Sequence, residues 1–370
     1  MVAELVDGVL SRPDFSGSYA NEDVTFLLKP VTLEATDVAT KEQLIQSGRR
    51  HYSEMIAPEA VPDDAYLALY DAALARNHDR LAQDISSLAA HLATRRPGRE
   101  IVIASLARAG TPIGVLLTRT LRAAGHLAAH YSVSIIRDRG IDLNALAHIA
   151  ARHDPDDVVF VDGWTGKGAI ARELRSNLLH RPCGFSPVLA VIADPAGQAD
   201  IAATDDDYLI ASGLLNGIVS GLVSRSILRP DLVGANDFHA CVTYPHHAGA
   251  DRSRAFVDAV APLAIAKPPR PIDGHAANIP SLRASGTTML ADLLALAGTR
   301  DPNRIKPGIA EATRALLRRV PERLLLRDHL DPDVQHLRHL ADAAGIEVEQ
   351  LSNDSRYRAV AIIRTLGSES

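Results

Sequence analysis

From Ala72 to Ala93 the chain reads A-A-L-A-R-N-H-D-R-L-A-Q-D-I-S-S-L-A-A-H-L-A, with apolar residues recurring at intervals of three and four. That spacing puts one helix face against a core, and it makes the stretch from about Ala39 to Arg95 largely helical. The pattern breaks at R-R-P-G-R-E, and short apolar runs then take over. Ile101–Leu106, Tyr131–Ile136, Val158–Val161, Pro187–Asp194 and Tyr208–Ser212 each read as a buried strand. Helical patterns at about Ile113–Ala124 and Asn144–Arg152 lie between them. Strands alternating with helices in this way predict an α/β fold with a parallel sheet and right-handed crossovers.

A-K-P-P-R-P-I-D-G-H lacks periodicity and reads as a linker. After it, R-L-L-L-R-D, the helical run Asp331–Ala344 and I-E-V-E-Q-L predict a βαβ unit, with Gly345 at the helix C-cap. The expected organisation is a helical N-terminal extension (1–95), an α/β domain (96–262), a linker (263–284) and a small C-terminal α/β domain (285–370).

Composition narrows the partners. Hydrophobic content of 46% and charged content of 23% are those of an ordinary globular protein, and the net charge of -6 argues against a chain-wide nucleic-acid footprint. The N-terminus lacks a secretory pattern, and no run of about 18 apolar residues occurs, so a cytoplasmic protein without a membrane partner is expected. Two distant cysteines, Cys183 and Cys241, fit a reducing compartment. A homo-oligomer remains open.

The chemistry gathers where strands end, which is where open α/β sheets bind ligands. In V-V-F-V-D-G-W-T-G-K-G-A-I the glycine spacing matches neither a Walker loop nor a dinucleotide fingerprint. Gly166 and Gly168 instead let backbone N–H groups approach an anion at a helix N-terminus, with Thr165 as hydroxyl donor and Lys167 between them. Asp162 can accept from sugar hydroxyls or help to hold Mg²⁺. This run resembles the phosphate loop of the type I phosphoribosyltransferases, and departs from it at Gly163, where that family has a second acid. The resemblance implies a phosphoribosyltransferase-like core that binds phosphoribosyl pyrophosphate with Mg²⁺ at Asp162. Arg108, Ala109, Gly110 and Thr111 would form the pyrophosphate loop, and Arg137 and Arg139 would clamp the leaving group. Displacement at the anomeric carbon would pass through an oxocarbenium-like state. Ser220–Ser226 is a candidate acceptor loop, and Asp205–Asp207 a candidate aid to Mg²⁺.

F-S-G-S-Y-A, L-I-Q-S-G-R-R-H-Y-S-E-M, S-L-A-R-A-G-T-P and Y-S-V-S-I-I-R-D-R-G-I-D carry a longer resemblance, over Phe15 to about Ala261. It is to the phosphoribosyltransferase-like proteins of tellurite-resistance and stress gene clusters, also described as StiP-type cysteine proteases. The protease description implies a nucleophile, for which Cys241 is the natural candidate, with His239 on the same strand face and His246 and His247 nearby.

Pro307–Asp333 resembles the Pelota-type RNA-binding domain. Gly308, Glu311, Thr313 and Arg314 match its G-x-N-E-x-T-K motif, while Ala310 stands in place of the asparagine. With Lys306 and Arg318, and with Arg319 and Arg323 beside them, the set implies contact with RNA through backbone and shape. The function expected is transfer or removal of a ribose-phosphate group on a nucleotide-like or RNA-linked substrate. A cysteine protease and a non-catalytic nucleotide-sensing RNA binder are the alternatives.

Overall fold

A computed structural model describes residues 15–272 and 274–365. Its strands are β1 (Thr25–Leu27), β2 (Lys29–Pro30), β3 (Ile101–Leu106), β4 (Ala128–Val133), β5 (Ile135–Ile136), β6 (Gly140–Ile141), β7 (Val158–Trp164), β8 (Leu189–Ala193), β9 (Ile201–Thr204) and β10 (Ala240–Cys241), followed in the C-terminal domain by β11 (Ile305–Pro307), β12 (Pro321–Leu326), β13 (Glu347–Gln350) and β14 (Ala359–Ile363). The helices are α1 (Val38–Gln46), α2 (Asp64–Thr94), α3 (Gly110–Ala123), α4 (Leu143–Ala150), α5 (Ala169–Leu178), α6 (Ser253–Ala266), α7 (Gly274–Leu296), α8 (Ile309–Arg318) and α9 (Gln335–Ala344).

Six strands form one parallel sheet in the order β1-β4-β3-β7-β8-β9. Its strands are apolar on both faces, as helix cover on both sides requires. Ile101, Ile103, Val159, Val161 and Ile192 face a core with residues of α2, α3 and α6. Val102, Ala104, Phe160 and Val191 face a second core with α4 and α5. The parallel α/β expectation is met.

Three local expectations are corrected. The N-terminal segment is not wholly helical, because Thr25–Leu27 adds an edge strand against β4. Tyr208–Ser212 is no strand; Ile201–Thr204 is the last strand of this sheet. Side chains satisfy the backbone around Leu209 instead: Asn77 donates to its carbonyl at 2.9 Å, and its N–H donates to Asp333. Residues 263–284 are no free linker, since α6 and α7 run through most of them and contain Pro262 and Pro280. The short remainder is tied to α2, with Gln83 donating to the Pro268 carbonyl and the Arg270 N–H donating to Ser87.

The C-terminal sheet has the order β11-β14-β12-β13, and the predicted βαβ unit is present as parallel β12 and β13 joined by α9. This domain docks on the first without a break in the core: Ile309, Ala312 and Leu337 belong to the same buried cluster as Leu209 and Leu214. Asp207 accepts from the backbone N–H groups of Ile309 (3.1 Å) and Arg358 (2.8 Å), and Arg358 pairs with Asp206 at 2.6 Å.

Candidate functional site

β7 ends at Trp164, and the loop through Gly168 leads into α5 with Gly168 in the left-handed conformation as its N-cap. The loop is held from below. Thr165 donates its hydroxyl to buried Asp194, which also accepts from the Gln198 and Ala199 N–H groups at 2.8 Å each. From above it is covered by the C-terminal domain. A Cβ on Gly166 would lie 2.9 Å from the Pro307 carbonyl oxygen and 3.0 Å from Cγ of Glu311. Lys167 donates across the same gap to the carbonyls of Pro302 and Ile305.

Between loop and cover lies a cavity of about 670 Å³. The first domain lines it with Asp162, Trp164–Gly168, Arg137 and Arg225, and α1 adds Lys41. The C-terminal domain adds Lys306, Glu311, Arg314 and Arg318. The expected phosphate loop and much of the expected RNA-binding set therefore face one another across a single cavity. Arg314 lies over the Trp164 ring, 4.6 Å from its centroid, and 3.9 Å from Glu311. Thr313 serves packing, its hydroxyl donating to the Ile309 carbonyl with His336 at 2.7 Å. Gly308 starts α8 with φ of 93° beside Asp207.

Positive charge dominates the walls. Burial, reinforced by Lys306, pushes Lys167 down to about 7. Lys306 is pushed down to about 8 by burial, against the pull of Glu311. Lys41 also falls to about 8, through burial and then repulsion from Arg225, Arg318 and Arg319. Neither Lys41 nor Lys306 has a side-chain hydrogen bond or ion pair among the described residues. Asp162 is pushed up to about 6 by burial, and Arg314 opposes that rise. Buried cations so arranged resist charging until an anion arrives.

Of the expected pyrophosphate-loop and clamp residues, Arg137 alone reaches this cavity among the described residues. The Ala107–Arg108 peptide is cis. Arg108 is committed to Glu59 (2.5 and 3.1 Å) and to the Val223 carbonyl. Ala109 precedes α3. Gly110 is required for packing, since a Cβ there would sit 2.4 Å from the Val161 carbonyl oxygen. Thr111 is buried against Ser132. Arg137 reaches the cavity and bonds Asn303 at 2.9 Å, whereas Arg139 pairs with Glu54 outside it.

Mg²⁺ commonly binds through one or two carboxylates plus substrate phosphates. No group of three or more His, Cys, Asp or Glu side chains suited to a metal occurs among the described residues. Asp162, with Glu311 across the cavity, fits a Mg²⁺ ion that arrives with phosphate oxygens, not a dedicated protein cage.

Cys241 is fully buried in β10, which pairs in parallel with β2, and burial pushes its thiol up to about 12. His239 lies 2.7 Å from the Ser134 hydroxyl through Nδ1, and its own N–H donates to Asp142. Burial lowers the His239 pKa, with Asp142 opposing. Cys183 is exposed, in a short turn far along the chain from these groups.

Residues 17–261 match the family model described as tellurite-like stress resistance cysteine protease StiP. The chain is 42% identical to the Cysteine protease StiP of Acinetobacter baylyi, over 97% of each chain. The chain belongs to the StiP family. Outside the StiP match, residues 284–365 match the PELOTA RNA binding domain. Solved structures similar to this StiP-family chain include hypoxanthine phosphoribosyltransferase from Trypanosoma cruzi in complex with the product IMP, at 13% identity and a TM-score of 0.29, over 48% of this chain and 92% of that one. A hypoxanthine phosphoribosyltransferase with an invariant aspartate changed to glutamine matches at 13% identity and a TM-score of 0.28, over 46% and 93% of the two chains. No helix among the described residues is long and apolar enough to cross a membrane.

Lys41 and Tyr52 line the cavity without having been singled out in the sequence, whereas Arg225 brings the candidate acceptor loop Ser220–Ser226 to it. Lys41 carried no signal in residue type or spacing, since its burial follows from where α1 packs. Tyr52 carried none either, because its approach to Arg225 and Arg137 joins separate loops in space.

Proposed function

We propose that this protein binds a phosphorylated ribose compound of the phosphoribosyl pyrophosphate type in the inter-domain cavity, and transfers or removes its ribose-phosphate group on a nucleotide-like substrate. The observation that carries this reading is the placing of unpaired cations from both domains around one phosphate-type loop. Backbone N–H groups of the Gly166–Gly168 turn receive the 5-phosphate. Lys306, Arg314 and Arg318 face the charge that develops on a departing pyrophosphate, and the docked domain keeps water away from an oxocarbenium-like centre. Trp164 offers a flat face for a sugar or base. Mg²⁺, when bound with the phosphates at Asp162, supplies further charge neutralisation. An RNA-linked substrate presents its ribose-phosphate end to the same cavity, because Glu311 and Arg314 face inward. A crystal soaked with Mg²⁺ and phosphoribosyl pyrophosphate tests the reading: phosphate density belongs between Gly166–Gly168 and Lys306, and an empty cavity at saturating ligand contradicts it.

The name of the Acinetobacter baylyi relative favours a second reading, a thiol-dependent peptidase. Its nucleophile would be Cys241 with His239 beside it in sequence, and its operation requires the β2–β10 pair to open and expose the thiol. Alkylation of Cys241 in the native protein, together with loss of a peptidase activity, supports that reading.

A further inference from the structure

A second chamber, of about 310 Å³, adjoins the main cavity, and Lys41, Arg225 and Arg318 line both. Its other walls are the segment from Ile56 to Asp63, the Leu214–Ile218 turn and the ring of Tyr244. Most of this surface is apolar, through groups such as Ile56, Pro58, Val61, Leu214 and Ile218. Three buried polar atoms have no partner: Nη1 of Arg225, Nε of Arg318 and the Tyr244 hydroxyl.

Native proteins seldom leave such atoms unpaired, because each forfeits the hydration it had in water. The atoms are also fixed in place. Arg225 is anchored by the carbonyls of Tyr52 and Met55, and Arg318 by the side chain of Asn216. Tyr244 stacks on His247, with ring centroids 5.5 Å apart. These anchors are neutral and take up none of the guanidinium charge. Glu59 offsets that charge only in part: burial opposes its ionisation, Arg108 and then Arg318 hold it below the usual carboxylate range, and this one carboxylate is shared among Arg108, Arg225 and Arg318.

We propose that this chamber is a second subsite, for a small carboxylate with an apolar or aromatic body. The proposal rests on the ribose-phosphate reading of the main cavity and assigns the chamber to the second reactant. Arg225 and Arg318 each offer a charged N–H to a carboxylate, Tyr244 donates to it, and the apolar walls take the body. A second sugar phosphate would leave its hydroxyls against Val61, Leu214 and Ile218. Because Lys41, Arg225 and Arg318 also line the larger chamber, the carboxylate sits next to bound phosphates.

Calorimetric titration of the full chain with benzoate, and separately with inorganic pyrophosphate, tests this. Tyr244→Phe removes one donor and weakens benzoate about fivefold. Ala60→Trp fills the chamber from an exposed lining position and abolishes benzoate binding. Both variants bind pyrophosphate as the parent does. Absence of benzoate binding at millimolar concentrations, or benzoate binding indifferent to Ala60→Trp, overturns the subsite. Benzoate binding that persists while pyrophosphate fails to bind removes the ribose-phosphate reading and leaves the subsite standing.

Discussion

Arg314 of the C-terminal domain lies over the indole of Trp164 in the phosphate-type loop, 4.6 Å from the ring centroid. That stack joins the two segments with the clearest chemistry in the sequence, and makes them opposite walls of one cavity. Trp164 is the chain's single tryptophan, so its emission reports on the cavity alone. Inorganic pyrophosphate is expected to change that emission saturably, and Arg314→Ala is expected to weaken the response. Emission indifferent to pyrophosphate contradicts the placing of the anion site.

The depressed lysines set the pH dependence of binding. Burial pushes Lys167 down to about 7 and Lys306 down to about 8. An anion between them restores their charge, so binding takes up protons and weakens as pH rises through that window. In the ligand-free protein the unfolded chain binds more protons at these lysines from about pH 7 to about 10, so their contribution makes the fold more stable as pH rises. Calorimetry in two buffers of different ionisation enthalpy measures the uptake near pH 8. Zero uptake contradicts the lysines' role.

Lys41 is buried without a partner and repelled by Arg225, Arg318 and Arg319. Such a charge is held for function at a cost in stability. Lys41→Met is therefore expected to raise Tm by about 1–2 °C for each kcal/mol of relief, while weakening pyrophosphate binding. A lower Tm in this variant shows that Lys41 is structural.

Much of the fold was legible because it follows from local periodicity. Val158–Val161 and Ile101–Leu106 are short apolar runs that could only be buried in a sheet covered on both faces. The Leu209 segment misled for a physical reason: its apolar side chains are buried as a strand's would be, but Asn77 and Asp333 take its backbone groups. At the site, Asp162 and Thr165–Gly168 were readable from residue type and spacing. That Glu311 and Arg314 turn onto that loop was not readable, since docking depends on long-range pairs such as Asp207 with the Ile309 N–H. Arg108 shows the opposite limit, a motif arginine whose charge Glu59, far along the chain, neutralises.

Cys241 separates the two readings of function. Its burial and a thiol pushed up to about 12 predict slower alkylation by iodoacetamide in the native protein than at exposed Cys183, whose thiol pKa partial burial also raises. Cys241→Ser is expected to leave pyrophosphate binding unchanged. Rapid labelling of Cys241 favours the peptidase reading.

On the proposed function, both domains hold a ribose-phosphate ligand in the cavity between them. The most direct test is calorimetric titration of phosphoribosyl pyrophosphate with Mg²⁺ into the full chain and into Lys306→Ala and Arg314→Ala. Saturable binding by the parent chain is expected, with each substitution weakening it by about ten- to a hundredfold, the value of a charge-assisted hydrogen bond. No binding by the parent chain, or equal affinity in all three proteins, would contradict that reading.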